Sequence, residues 1–387
     1  MDFDFTEDQR LLNESVERLL TGQYEFAHRQ RYLQEPDGWS REQWGRYADM
    51  GLLALPFAES DGGFGGGAVE TLIVMEAFGR ALALEPYLAT IILGGGFLRL
   101  GGSAAQRANL IPRVCDGSLL LAFAQAEKQS RFELADVATT AVQEGDEWVL
   151  NGRKRHVLHG DCADTVIVTA RVYGNRCDRA GVGLFLVNTH AAGVSRRTYL
   201  TQDRLRAAEI TFDNTSVGTD SVIGEPGAAM PLVEQVVERA IAALCAEAVG
   251  AMTRTQEITV DYLKVRTQFG KPIGSFQALQ HRTVDMFIML EQARSMAMYA
   301  AMMVAEPDAQ QRSRAISAAK VQIGRSGQFI GEQAIQLHGG IGLTEEAQVG
   351  HFYRRLSMIG TTFGDSGYHL AALARASSLI QPRAVVA

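Results

Sequence analysis

Hydrophobic periodicity changes twice along this chain. From the start to about residue 120, apolar positions fall at helical spacing. Leu11, Leu12, Val16, Leu19 and Leu20 line one face behind Thr6, a residue suited to an N-cap. Helical patterns return over residues 69–84 and, after Pro86, over 87–100. Ser103 opens a further short helix that Pro112 and Asp116-Gly117 close. Between these lies a loop, because Asp61-Gly62-Gly63-Phe64-Gly65-Gly66-Gly67 cannot hold a helix.

From Leu119 to about Gly224 the segments become short and rich in β-branched residues. They cover 138–142, 147–150, 165–170, 183–187 and 208–212, with Gly145-Asp146 and Asn151-Gly152 as turn signals. This middle third reads as a small antiparallel barrel or sandwich. From Ala228 onward long helical patterns dominate, over 232–262, 276–304 and 308–337, with shorter ones at 348–358 and 366–379. Long helices with short connections predict a four-helix bundle. The fold class is therefore α+β, with domains over 1–118 (helical), 119–226 (β) and 227–387 (helical bundle).

Composition narrows the class. Hydrophobic residues make up 47% and charged residues 21% of 387, ordinary for a globular protein. A net charge of −7 offers no basic footprint for nucleic acid. Cys115, Cys162, Cys177 and Cys245 are scattered without a CxxC pair, which argues against a zinc site or a disulfide framework. The acidic opening lacks the apolar core of a signal peptide, and the apolar run 87–93 falls short of a membrane span. The expectation is a cytoplasmic protein with neither nucleic acid nor membrane as partner, and with no metal site.

The candidate chemistry begins at residues 334–344, Ala-Ile-Gln-Leu-His-Gly-Gly-Ile-Gly-Leu-Thr. A helical pattern stops there at Gly339-Gly340, with Gln336 and His338 just before the break. Glycines allow a positive φ and let another molecule approach the backbone, which suits a cofactor phosphate. They equally suit an ordinary helix C-cap.

Longer motifs carry a resemblance. Glu59-Ser60-Asp61-Gly62-Gly63-Phe64-Gly65, then Glu76-Ala77-Phe78-Gly79-Arg80, are similar to N-terminal signatures of the acyl-CoA dehydrogenase family. Arg266-x-Gln268-Phe269-Gly270-Lys271-Pro272-Ile273 with Phe276-Gln277-x-x-Gln280 resembles its main C-terminal signature. Gln336-x-x-Gly339-Gly340-x-Gly342, followed by Tyr353-Arg354, resembles the other. The opening and Gln280-His281-Arg282 look most like small subunits of pimeloyl-CoA dehydrogenase-type enzymes.

The resemblance implies FAD, a tetramer, an acyl-CoA substrate, α,β-dehydrogenation of the thioester, and reoxidation by electron-transfer flavoprotein. It also implies that a neighbouring subunit clamps the adenosine diphosphate part of FAD. Carried over, Arg266 would neutralise pyrophosphate charge, Phe269 would pack near the cofactor, and Gln277, Gln336, Gly339 and Gly340 would complete the clamp. A guanidinium suits phosphate oxygens.

The chain departs from the pattern at the chemical end. The family's commonest base is a glutamate ten residues after a Tyr-Arg pair, and Phe363 stands there. The alternative base position, on the first long bundle helix, is Ala240. Glu238 is about 200° round that helix, and Glu247 shares its face but lies roughly 10 Å along it. Asp365 is in the right loop, and it serves either as a base or as the N-cap of the last helix. Ala126-Glu127-Lys128-Gln129-Ser130-Arg131 stands for the family's Thr-Glu-Pro segment, and the threonine hydroxyl is missing. His156-Val157-Leu158-His159-Gly160 stands for its Trp-x-Thr-Asn-Gly, and Leu158 cannot donate to a flavin. The losses fall on the chemistry and spare the clamp.

Three readings follow. The chain is the small subunit of a heteromeric FAD-dependent acyl-CoA dehydrogenase, completed by a homologous large subunit. It is a self-sufficient homotetramer using Asp365 or another carboxylate. Or it is a non-catalytic scaffold that kept the fold.

Overall fold

The computed structural model describes residues 5–376. The chain forms helices α1 (Glu7–Gln23), α2 (Phe26–Tyr32), α3 (Arg41–Asp49), α4 (Ala68–Ala81), α5 (Gly95–Gly101) and α6 (Ala104–Cys115). Strands β1 (Leu121–Ala124), β2 (Thr140–Glu144), β3 (Glu147–Leu158), β4 (Thr165–Arg171), β5 (Val182–Asn188), β6 (Val194–Leu200), β7 (Arg206–Gly218) and β8 (Val222–Ile223) follow. The remainder is α7 (Met230–Val265), the ribbon β9 (Thr267–Gln268) and β10 (Lys271–Pro272), then α8 (Gln277–Met303), α9 (Ala309–His338), α10 (Gln348–Thr361) and α11 (Ser366–Ala376). By contacts the chain divides into two compact units. One contains the described parts of 1–28, 68–83 and 241–387, and the other contains 29–67 and 84–240.

The second unit is built on one chiefly antiparallel sheet, ordered β6-β7-β3-β2-β4-β5-β8, with β1 parallel to β4. Its strands bury a core that includes Trp148, Leu150, Val166, Val168, Phe185, Ile210 and Phe212. Gly145 supplies the positive φ of the two-residue β2–β3 turn, as expected. Asn151-Gly152 does not turn the chain. It lies inside β3, where the register against β7 shifts, and a β-carbon on Gly152 would come 2.5 Å from Thr139 Oγ1. A glycine within a strand marks a bulge as readily as a turn. Polar β6 (Val-Ser-Arg-Arg-Thr-Tyr-Leu) has no apolar run and escapes the hydrophobic pattern. The helical stretch after Pro86 opens with a wide π-type turn over Leu88–Gly94. There the Thr90 hydroxyl donates to the Leu121 carbonyl and accepts its N–H (3.0 and 3.2 Å).

The first unit is helical. Thr6 and Gln9 close a capping box on α1. Asp308 caps α9 through the N–H groups of Gln310 and Gln311. Helix α9 packs against α8, α10 and α11. Helices α4 and α7 cross with backbones in contact: a β-carbon at Gly79 would lie 1.9 Å from the Glu247 carbonyl oxygen, and one at Gly250 would lie 1.8 Å from that of Glu76. Arg80 flanks the crossing with a two-pronged bond to Glu257 (2.9 and 3.1 Å).

Candidate cofactor-clamping site

The connection between α7 and α8 is a two-residue hairpin. Phe269 (φ 56) and Gly270 (φ 78) both adopt positive φ between β9 and β10, the pattern of a type I′ turn. Such turns favour Asn, Asp or Gly at the first central position, and phenylalanine there is strained by about 1 kcal/mol or more. The ring gains nothing from its own chain's core, being 90% exposed. Its nearest aromatic neighbour is Phe276, edge-on at 6.0 Å, and Lys271 Nζ stands 4.3 Å from the Phe276 ring. Arg266 leads into this hairpin, exposed, and among the described residues no carboxylate pairs with its guanidinium. Gln277, the first residue of α8, is exposed as well.

At the end of α9 the Gly339 N–H closes the helix onto the Gln336 carbonyl. Gly339 has φ 62 and ψ −145, a conformation essentially restricted to glycine. A β-carbon at 339 or 340 would meet nothing within 4 Å, so the outer backbone of the break is open to an approaching molecule. Gly342 is packed from beneath by His338 and Ile335.

One contact unites the two motifs. The rings of Tyr262 on α7 and His338 on α9 stack at 4.4 Å with planes 23° apart. Arg266 follows Tyr262 by one helical turn, and Gly339 follows His338 directly. Arg282 adds a bond to Gln333 (2.9 Å), fastening the start of α8 to the end of α9. Arg266, Phe269, Gln277, Gln336, Gly339 and Gly340 thus hang from one end of one helical unit. Nothing in the sequence marks Tyr262, which lies inside a long helical pattern where an aromatic reads as core. His338 is bonded through Nδ1 to the Ala334 carbonyl, and burial holds its pKa below the usual imidazole range. This surface fits the phosphate and adenosine end of FAD: an unpaired guanidinium, an exposed ring and open glycine backbone.

The segments assigned to the chemical end lie on the sheet of the other unit. Lys154, fully buried, donates to Glu127 (2.7 Å), the Gln125 carbonyl (3.2 Å) and Thr169 Oγ1 (3.0 Å). Glu127 also accepts the N–H groups of Ala138 and Thr139. Burial opposes ionisation of Glu127, yet the Lys154 ammonium and these donors hold its pKa down to about 2. Burial draws Lys154 down to about 8. Glu127 is therefore committed to its own chain. His156 and His159 both have φ 52, with His156 Nδ1 3.4 Å from the Tyr199 hydroxyl and His159 Nε2 3.0 Å from the Leu84 carbonyl. Neither has metal-ligand company, and among the described residues no group of three or more His, Cys, Asp or Glu could hold an ion.

The carboxylates near the two base positions are also engaged. Ala240 is buried on α7. Glu247 is gripped by Arg355 of α10 through two bonds (2.5 and 2.8 Å). Asp365 accepts the Tyr368 N–H (2.8 Å) and so caps α11.

Family models for the acyl-CoA dehydrogenase N-terminal, middle and C-terminal domains match residues 6–118, 122–215 and 230–378 in turn. The chain belongs to the acyl-CoA dehydrogenase family. It is 26% identical over 380 residues to the probable acyl-CoA dehydrogenase YngJ of Bacillus subtilis, covering 97% of this chain and 99% of that protein. A solved Tcur3481-Tcur3483 steroid ACAD variant is 28% identical with a TM-score of 0.87, over 96% of this chain and 98% of that one. The butyryl-CoA dehydrogenase of Megasphaera elsdenii shares the fold at a TM-score of 0.90 and 22% identity, over 98% of this chain and all of that one (100%). Among the described residues no helix is long and apolar enough to cross a membrane.

Proposed function

We propose that this chain is the small subunit of a heteromeric FAD-dependent acyl-CoA dehydrogenase, lending a cofactor clamp to a homologous large subunit that carries the catalytic carboxylate. Phe269 is the observation that carries this reading. A strained, exposed aromatic beside an unpaired arginine contributes little to its own chain and fits a cofactor held largely by another. Phe363, at the position of the family's base, cannot take a proton. Bound FAD would supply the hydride acceptor for α,β-dehydrogenation, with electron-transfer flavoprotein as the onward acceptor. This chain's part is to bind: Arg266 neutralises phosphate charge, Phe269 and Gln336 flank the adenosine, and the Gly339-Gly340 backbone admits it.

The deciding experiment is purification of the chain alone and coexpressed with a homologous acyl-CoA dehydrogenase encoded beside it, recording flavin spectrum and stoichiometry. One FAD per heterodimer, with none on the lone chain, is expected. Full occupancy and turnover by the lone chain would overturn the reading and return Asp365 as the base to test. A colourless product from both preparations would leave a non-catalytic scaffold. Steroid side-chain thioesters belong among the first substrates tried, because the 28%-identical solved structure is named as a steroid ACAD.

A further inference from the structure

Phe363 lies in a loop whose backbone is held in an unusual shape. Phe363 (φ 57) and Gly364 (φ 113) are consecutive residues at positive φ. A residue with a β-carbon stays in that region only where its surroundings over-determine it. Here the surroundings are a buried polar clasp. His369, in the first turn of α11 and only 4% exposed, has Nε2 3.1 Å from the Phe363 carbonyl oxygen. Its Nδ1 lies 3.1 Å from Ser317 Oγ on α9. A carbonyl only accepts, so the Nε2–H donates to it and Nδ1 accepts from the Ser317 hydroxyl. Lys320, almost one turn beyond Ser317 and buried, donates to the Ile359 carbonyl just ahead of the loop. A β-carbon on Gly364 would lie 2.6 Å from His369 Nε2, so the glycine makes room for the imidazole.

The bonds from His369 and Lys320 end on backbone oxygens. They fix the path of the loop whatever side chain residue 363 carries. We propose that His369, oriented by Ser317, is the positioning residue that sets the direction of residue 363. Its importance for an acyl-CoA site rests on the function proposed above, but the clasp can be tested apart from it.

The test is amide hydrogen exchange on the full chain, in whichever assembly it purifies, comparing H369L with H369Q. H369L removes the donor, and exchange at residues 362–365 should quicken about fivefold or more while α9 around Ser317 keeps its rate. H369Q restores a donor and should bring the loop back to within about twofold of the parent. Unchanged loop exchange in H369L, or a loop equally loose in H369Q, would overturn the proposal. Should H369L not fold, S317A carries the test: it frees the imidazole and should quicken the same four amides, and an unaltered loop would overturn the proposal. A clasped loop in a coexpressed assembly that binds no flavin would sink the proposed function and leave the positioning role standing.

Discussion

Tyr262 and His338 stack at 4.4 Å, and the Tyr262 hydroxyl reaches the His338 carbonyl at 3.4 Å. The stack joins the helix that delivers Arg266 to the helix that ends in Gly339. Aromatic pairs contribute about 1 kcal/mol beyond the area they bury. Y262L should therefore lower the melting temperature and loosen flavin retention in the assembled complex. Y262F should behave nearly as the parent, because a 3.4 Å hydroxyl contact is long and weak. Differential scanning fluorimetry and FAD fluorescence after dilution read the two effects.

Arg266 separates binding from folding. Its guanidinium is exposed and unpaired among the described residues, so R266A should leave the melting temperature of the flavin-free chain unchanged. Charge-assisted hydrogen bonds contribute about 1.5–3 kcal/mol, and the FAD Kd of the complex should rise roughly 10- to 100-fold. R266K should recover only part, since lysine keeps the charge but lacks the planar fork. Flavin titration by fluorescence quenching distinguishes the three proteins. An unchanged Kd in R266A would remove Arg266 from the clamp.

The α4–α7 crossing admits no side chain. G79A and G250A each drive a methyl group to within 2 Å of a carbonyl oxygen on the facing helix. Overpacking of this kind against backbone costs more than about 3 kcal/mol, because no flexible side chain can yield. Either variant should be recovered largely insoluble, or should unfold at much lower urea than the parent.

The order of helical, β and helical regions was legible because period 3.6 and period 2 leave different traces, and Thr6 and Ser103 marked helix starts. What escaped depended on partners distant in sequence. Gly152 reads as a turn until Thr139 is seen against it. Polar β6 is a strand because β7 pairs with it. The residues proposed for the clamp stand out as motifs, whereas the Tyr262–His338 contact that gathers them does not, since 76 residues separate the two. The engagement of Glu247 by Arg355 was likewise invisible, because spacing along a helix says which face a carboxylate occupies and nothing of what meets it there.

The buried Lys154–Glu127 pair should show a marked asymmetry on mutation. Removing one partner leaves the other charged and desolvated, so K154M alone should cost about 3–5 kcal/mol. The double variant K154M/E127Q should recover a large part, because neither residual charge remains. Urea unfolding of the parent, both single variants and the double variant gives the coupling directly. Purely additive losses would show that the pair contributes as two independent groups.

Protonation of His369 should weaken the chain in acid. Burial, with the nearby Lys320 ammonium, lowers its pKa to about 4, against the opposing influence of the Phe363 carbonyl and Asp365. The unfolded state, with an ordinary imidazole pKa near 6.5, then takes up the proton first as pH falls. The contribution of His369 is fully present above about pH 6.5, is lost as pH falls from there toward 4, and is constant below. Between pH 7 and pH 5 the loss attributable to this group should be roughly 1–2 kcal/mol. Other groups titrate in the same window, so the comparison that isolates it is urea unfolding of the parent and H369Q at both pH values. H369Q should lose less stability than the parent between pH 7 and pH 5 by about that amount. Equal losses in the two proteins would mean that the imidazole is as easily protonated in the folded chain as in the unfolded one, contrary to its burial against Lys320.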